Sequence, residues 1–229
     1  MNTLKELQGI WKDTEASHYA IDQTFKDLTN ADPKLKELRD HVESNILGFG
    51  ERSFYHLFKI ILNELPAKAN LLEIGVFRGQ TLALFRTLKP KATITGITPL
   101  DSTGGHWESD YAKDIKDLHT KFKLKQPKII KGLSFDDDVI TQAAGDYDML
   151  YIDGGHSYEA ARSDVYTYSS FVKVGGYLVV DDCANKYKIP HGMFPGIETV
   201  SRAVDELLPN AYYKEIASVV HIRVFQRVK

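Results

Sequence analysis

The chain has 229 residues, 43% of them hydrophobic, which is enough for one sizeable core and short for two full domains. A formal net charge of −2 and a pI near 6.4 exclude a global attraction to nucleic acid or to an anionic membrane. The single cysteine, Cys183, excludes an intrachain disulfide framework.

The N-terminal stretch MNTLKELQGIWKDTEASHY is polar and mixed in charge, without the apolar centre of a secretory signal. No run approaches about 18 apolar residues, so no membrane span is expected. These features and the lone thiol fit a reducing compartment, and the expectation is a soluble, cytoplasmic protein. Lys121, Lys123, Lys125, Lys128 and Lys131 form a lysine-dense stretch. It reads as a solvated helix end running into a strand.

Residues 1–65 read as helices, with one apolar stripe through Leu4, Leu7, Ile10 and Trp11 and another through Leu35, Leu38, Val42 and Ile46. A third runs through Phe54, Leu57, Phe58, Ile61 and Leu62, with Pro66 just past its end. From Asn70 the pattern changes to short apolar runs alternating with helical stretches, the signature of βαβ units. The runs are 71–75, 92–98, 128–132, 148–153 and 177–182. They lack strict alternation, as strands buried on both faces do. Helices are expected from about Thr81, Tyr111 and Asp137, from Ser157 to Lys173, and over 199–208. Two final strands, 211–219 and 221–228, have no helix between them and must be antiparallel.

The resulting expectation is an α/β, Rossmann-like fold with a seven-stranded, mostly parallel sheet, an antiparallel C-terminal hairpin and helices on both faces. This layout resembles the class I methyltransferases; a dinucleotide-binding sheet would continue with parallel strands. Residues 1–65 are read as a helical segment covering the site and 66–229 as the Rossmann-like domain.

Ligands of open α/β sheets bind outside the carboxyl ends of the strands. The first such end reads Leu71-Leu72-Glu73-Ile74-Gly75-Val76-Phe77-Arg78-Gly79. Gly75 and Gly79 supply the freedom a backbone needs to approach a ligand closely. Glu73, just inside the turn, can face a cationic ligand end. The spacing is not the G-x-G-x-x-G of nicotinamide enzymes. The string resembles motif I of class I methyltransferases of the catechol-type and sugar O-methyltransferase variety. That resemblance implies S-adenosylmethionine as cofactor, its methionine part held by the loop of Gly75, Arg78 and Gly79 and its amino group approached by Glu73.

The second strand departs from that pattern. Thr98 stands where an acid for the ribose hydroxyls is expected, and Pro99 biases it toward extended geometry, so that Asp101 can curl back as the acceptor. After the third strand, Ser134 and Asp136 read either as adenine-side contacts or as helix N-caps.

The fourth strand ends Tyr151-Ile152-Asp153-Gly154-Gly155-His156 and the fifth ends Val179-Val180-Asp181-Asp182. Parallel neighbours lie about 4.8 Å apart, so Asp153 and the Asp181–Asp182 pair converge at one sheet edge. Three carboxylates there must be protonated or neutralised by a cation, and oxygen ligands suit a hard ion such as Mg²⁺. Solvated strand ends are the plainer alternative. Y-I-D-G-G-H-S-Y-E-A-A-R-S-D-V followed by V-G-G-Y-L-V-V-D-D resembles the macrocin-type sugar O-methyltransferases, a resemblance spanning about Leu71 to Leu208. It implies Mg²⁺ (or Mn²⁺) held by Asp153, Asp181 and Asp182, with His156 as the base. Histidine also suits that task on chemical grounds, because a hydroxyl must lose its proton as it attacks the methyl carbon. A helix N-terminal histidine bonded to a neighbour is the other reading of His156.

The loop from Cys183 to Gly196 follows the acids directly and is expected to wall the acceptor pocket, with Lys186, Lys188 and His191 as polar contacts or plain surface residues. The expected partner is a small hydroxylated acceptor such as a sugar or polyol, not nucleic acid or membrane; self-association is left open. Competing readings are a metal-independent methyltransferase, a nicotinamide oxidoreductase, and a non-catalytic binding protein of the same fold.

Overall fold

The structure is a computed structural model and describes residues 3–12, 17–100, 110–188 and 193–229. Four helices come first: α1 (Leu4–Lys12), α2 (His18–Asn30), α3 (Pro33–Asn45) and α4 (Arg52–Glu64). Ser17 caps α2 by accepting from the Ala20 amide, and Asp32 caps α3 from the Leu35 amide, with Pro33 in the first turn. Ile46 ends α3 in the left-handed region at φ 52°. The sequence reading singled out no stripe for α2, although Ile21 and Phe25 are both buried on it.

The alternating part follows as β1 (Asn70–Ile74), α5 (Gln80–Leu88), β2 (Thr93–Thr98), α6 (Tyr111–Lys121), β3 (Lys128–Lys131), α7 (Asp137–Ala143), β4 (Tyr147–Ile152), α8 (Tyr158–Tyr168) and β5 (Val172–Val180). Helix α9 (Glu198–Leu207) and strands β6 (Tyr213–Val219) and β7 (Ile222–Arg227) complete the chain. The sheet order is β3-β2-β1-β4-β5-β7-β6, parallel through β5 and closed by antiparallel β7 and β6. This is the Rossmann-like, seven-stranded arrangement with a terminal hairpin that the strand pattern implied. The largest departure lies between α8 and β5, which begins at Val172 where the strand was expected from 177. The helix expected to reach Lys173 stops at Tyr168, and a short 3₁₀ turn (Ser169–Phe171) leads into β5. Val172 is drawn into the sheet by pairing with Tyr147, which outweighs its place in the helical stripe.

Successive strand residues feed two cores. Leu71, Met149, Tyr151 and Val179 face a layer containing Phe54, Phe58 and Phe85, so α4 and α5 share one core with the sheet. Leu72, Leu150, Leu178 and Val180 face Val165 of α8 and Val204 of α9. Burial on both faces explains why the strands lack polar alternation. No helix among the described residues is long and apolar enough to cross a membrane.

Candidate active site

The strand order reverses between β1 and β4, and a crevice opens at the carboxyl ends there, as open α/β sheets dictate. It is an open cleft lined by the loop after β1, the ends of β4 and β5, and the α3–α4 connection. Gly75 has φ +94° and Gly79, at the N-cap of α5, has φ +95°, both in the left-handed region that favours glycine. The close approach that demands Gly75 is internal. A β-carbon there would stand 1.8 Å from the carbonyl oxygen of Asp153, so the loop after β4 by itself requires glycine at this position.

Glu73 is 3% exposed, yet it lines the cleft, and its Oε2 has no hydrogen-bond partner. Burial raises its pKa to about 8; the Thr81 hydroxyl opposes that rise and the charge of Asp181 adds to it. A buried carboxyl oxygen aimed at a cleft without a partner fits a cationic group of a ligand.

The acids converge as the register requires. Ile152 pairs with Val180, so Asp153 and Asp181 emerge side by side, with the Asp153 amide bonded to Ile74 O and the Asp181 amide to Ile152 O. The Tyr151 hydroxyl donates to Asp181 Oδ2 and lies 3.2 Å from Asp153 Oδ2. Asp181 Oδ1 accepts from the Asp182 amide at 2.8 Å and lies 3.1 Å from His221 Nε2. Asp182 holds left-handed backbone geometry (φ 52°), and its Oδ2 lies 3.2 Å from His156 Nε2. Ligand atoms of Asp153, His156 and Asp182 lie within 4.8 Å of one another, as do those of Asp181, Asp182 and His221.

The electrostatics follow from this crowding. Burial, then the charges of Asp181, Asp182 and Glu73, push Asp153 well above the usual carboxylate range. Burial and Asp181 raise Asp182 as well, against the pull of His221 and His156. Burial alone would also raise Asp181, but His221, Tyr151 and the Asp182 amide together hold it below its ordinary value. His221 is lowered by burial and raised more by Asp181 and Asp182, reaching about 9. A divalent cation would relieve the remaining repulsion, and the hard oxygen donors of Asp153 and Asp182 suit one.

The other expected residues are placed as follows. Arg78 lines the cleft, but its guanidinium bonds Asp114 at 2.6 Å and the carbonyls of Asn45 and Ile46. Thr98 is buried at the end of β2, its hydroxyl accepting from the Leu100 amide. Asp101 and His191 lie outside the described residues. The Ser134 carbonyl accepts from the Tyr168 hydroxyl. Asp136 sits at the N-cap of α7, where its carboxylate accepts from the Leu133 amide and makes no bond to the helix amides. Lys186 pairs with Asp205, and Lys188 is exposed. His156 is exposed beside Asp182, and its carbonyl accepts from the Thr199 hydroxyl.

Sequence reasoning missed Tyr151, His221 and Gln80. Tyr151 stands two residues before Asp153 inside the quoted motif, and a buried phenol next to an acidic strand end was the available signal. Gln80, 4% exposed, bonds both the amide and the carbonyl of Gly50, fastening the α3–α4 connection to the loop after β1.

Residues 72–183 match a family model described as a methyltransferase domain. A protein of Acanthamoeba polyphaga mimivirus named "Uncharacterized protein R132" is 27% identical over 148 residues, 62% of this chain and 64% of that protein. Among solved structures, a Staphylococcus aureus protein titled "putative caffeoyl-CoA O-methyltransferase" superposes with a TM-score of 0.68 at 16% identity, covering 91% of this chain and 99% of the other. MycE, a methyltransferase of the mycinamycin biosynthetic pathway solved with Mg, SAH and mycinamycin VI, gives 0.55 at 16% identity, covering 83% of this chain and 53% of MycE. At these identities the structural likeness defines the fold. The chain thus shares its fold with these structures, and its residues 72–183 are similar to the methyltransferase-domain model.

Proposed function

We propose that the protein is an S-adenosylmethionine-dependent O-methyltransferase that uses Mg²⁺ or Mn²⁺ and methylates a hydroxyl of a small polar acceptor such as a sugar or polyol. The observation that carries this reading is the pairing, in one cleft, of a buried Glu73 carboxyl whose Oε2 has no partner with the acid cluster of Asp153, Asp181 and Asp182. MycE, a structural neighbour, was solved with Mg and SAH, which supports the same pairing of groups.

When bound, the cofactor would supply an electrophilic methyl group on sulfonium, and the cation would supply Lewis acidity toward the acceptor hydroxyl. Glu73 takes the ammonium end of the cofactor. Asp153 and Asp182, with Asp181 behind them, hold the cation. His156 accepts the proton that the acceptor hydroxyl loses, and Asp182 orients its imidazole through the 3.2 Å contact at Nε2. The rest of the rate comes from alignment of hydroxyl and methyl within the cleft.

The test is transfer of labelled methyl from S-adenosylmethionine to a panel of sugars, polyols and catechols, with and without chelator. Transfer to a hydroxyl that stops in EDTA and returns with Mg²⁺ supports the proposal. A second reading rests on Asp181, whose oxygens already meet three donors, so that His221 neutralises the cluster without a cation. Transfer that continues in chelator selects that metal-independent reading.

A further inference from the structure

We infer that His221 is a positioning residue of the cation site: with Tyr151 it clamps the Asp181 carboxylate and so sets the geometry in which the acid cluster takes a divalent ion. The inference rests on the metal reading above and extends it to the C-terminal hairpin.

Three observations carry it. First, Asp181 is 9% exposed and is held at both oxygens, by His221 Nε2 and the Asp182 amide on Oδ1 and by the Tyr151 hydroxyl on Oδ2. A carboxylate held in this way cannot rotate about its last bond. Second, the His221 carbonyl accepts from the Cys183 amide at 2.8 Å, tying the hairpin turn to the residue that follows Asp182. Third, the turn is costly for its sequence. Val219 pairs with Ile222, leaving Val220 and His221 as a two-residue connection, and Val220 sits at φ +55°. Glycine would adopt that conformation freely, whereas a β-branched residue is strained there. Val220 is 2% exposed, so packing in the core overrides that strain and places the imidazole against Asp181.

Groups that orient metal-binding side chains typically change metal affinity about 10–100-fold when removed. The opposite sign is expected if His221 acts on the cation only through charge, because deleting an imidazolium would then tighten binding. A donor without charge separates the two. Mn²⁺ binding to the full chain, read from the electron paramagnetic resonance of the free ion, is compared for wild type, His221→Ala and His221→Gln. Positioning gives a Kd weakened about 10–100-fold in His221→Ala and largely restored in His221→Gln, with S-adenosylhomocysteine affinity unchanged in both. Equal or tighter Mn²⁺ binding by His221→Ala overturns the inference while leaving the metal reading intact. If wild type itself binds no Mn²⁺, the metal reading falls and takes the inference with it. Should His221→Ala fail to fold, Tyr151→Phe removes the donor on the other oxygen, and wild-type affinity in that variant overturns the inference equally.

Discussion

Gly75 and the carbonyl oxygen of Asp153 share a space that admits no β-carbon, since one built on Gly75 would lie 1.8 Å from that oxygen. The loop after β1 therefore fixes the position of the first acid of the cluster. Gly75→Ala forces the loops apart and adds the strain of a left-handed non-glycine residue, about 1–3 kcal/mol. The expected result is a melting temperature lower by roughly 2–4 °C per kcal/mol, with S-adenosylhomocysteine and Mn²⁺ affinities falling together. Loss of cofactor affinity with unchanged Mn²⁺ affinity, measured by calorimetry, contradicts the shared placement.

The proposed cation is tested by removing it. Dialysis against EDTA is expected to abolish methyl transfer, and Mg²⁺ or Mn²⁺ to restore it. Asp153→Asn and Asp182→Asn should each weaken Mn²⁺ binding more than S-adenosylhomocysteine binding. Full turnover of either variant in EDTA removes the cation from the mechanism.

The buried acid at Glu73 predicts a pH dependence with a definite sign. Its pKa is raised on folding from the ordinary value of 4.5 to about 8, so the native state retains a proton that the unfolded chain has lost across that window. Stability contributed by the protonated form is complete below pH 4.5 and is lost as pH rises toward 8. His221, raised from 6.5 to about 9, contributes in the same direction between those values. Without ligand, Glu73→Gln should melt higher than wild type at pH 8, by roughly 2–4 °C per kcal/mol of relieved desolvation, and alike near pH 4. It should also bind S-adenosylhomocysteine more weakly. Parallel melting curves across the whole range would count against a neutral buried Glu73.

The proton acceptor is tested at His156. The side chain is 54% exposed, and the Thr199 bond reaches only its carbonyl, so His156→Ala should melt near wild type. Its kcat should fall by about 10²–10⁴, with cofactor affinity retained and the deficit shrinking at high pH as hydroxide substitutes for the base. A variant that melts normally and turns over at the wild-type rate shows that His156 is not the base.

The acid cluster was legible in the sequence because parallel strands share a direction. Asp153 and Asp181 each close an apolar run, and adjacent parallel strands bring such ends together without knowledge of any loop. Glu73 was legible for the same reason. His221 was not, since it lies 40 positions after Asp181 and reaches it through an antiparallel hairpin whose register no local pattern specifies. Gln80 was hidden by its setting, because a glutamine at a helix start gives no sign that its amide will fasten a glycine 30 positions earlier. For Gly75 the sequence announced a close approach, and the Asp153 carbonyl is a neighbour that no local pattern could name.

Whether the cleft is a methyl-donor site is decided by S-adenosylhomocysteine binding, measured by isothermal titration against NAD as control, since that binding requires neither the acceptor nor the cation. The expected result is saturable one-site binding of S-adenosylhomocysteine that weakens in Glu73→Gln, a raised melting temperature, and no binding of NAD. Binding of NAD in place of S-adenosylhomocysteine, or of neither, would contradict it.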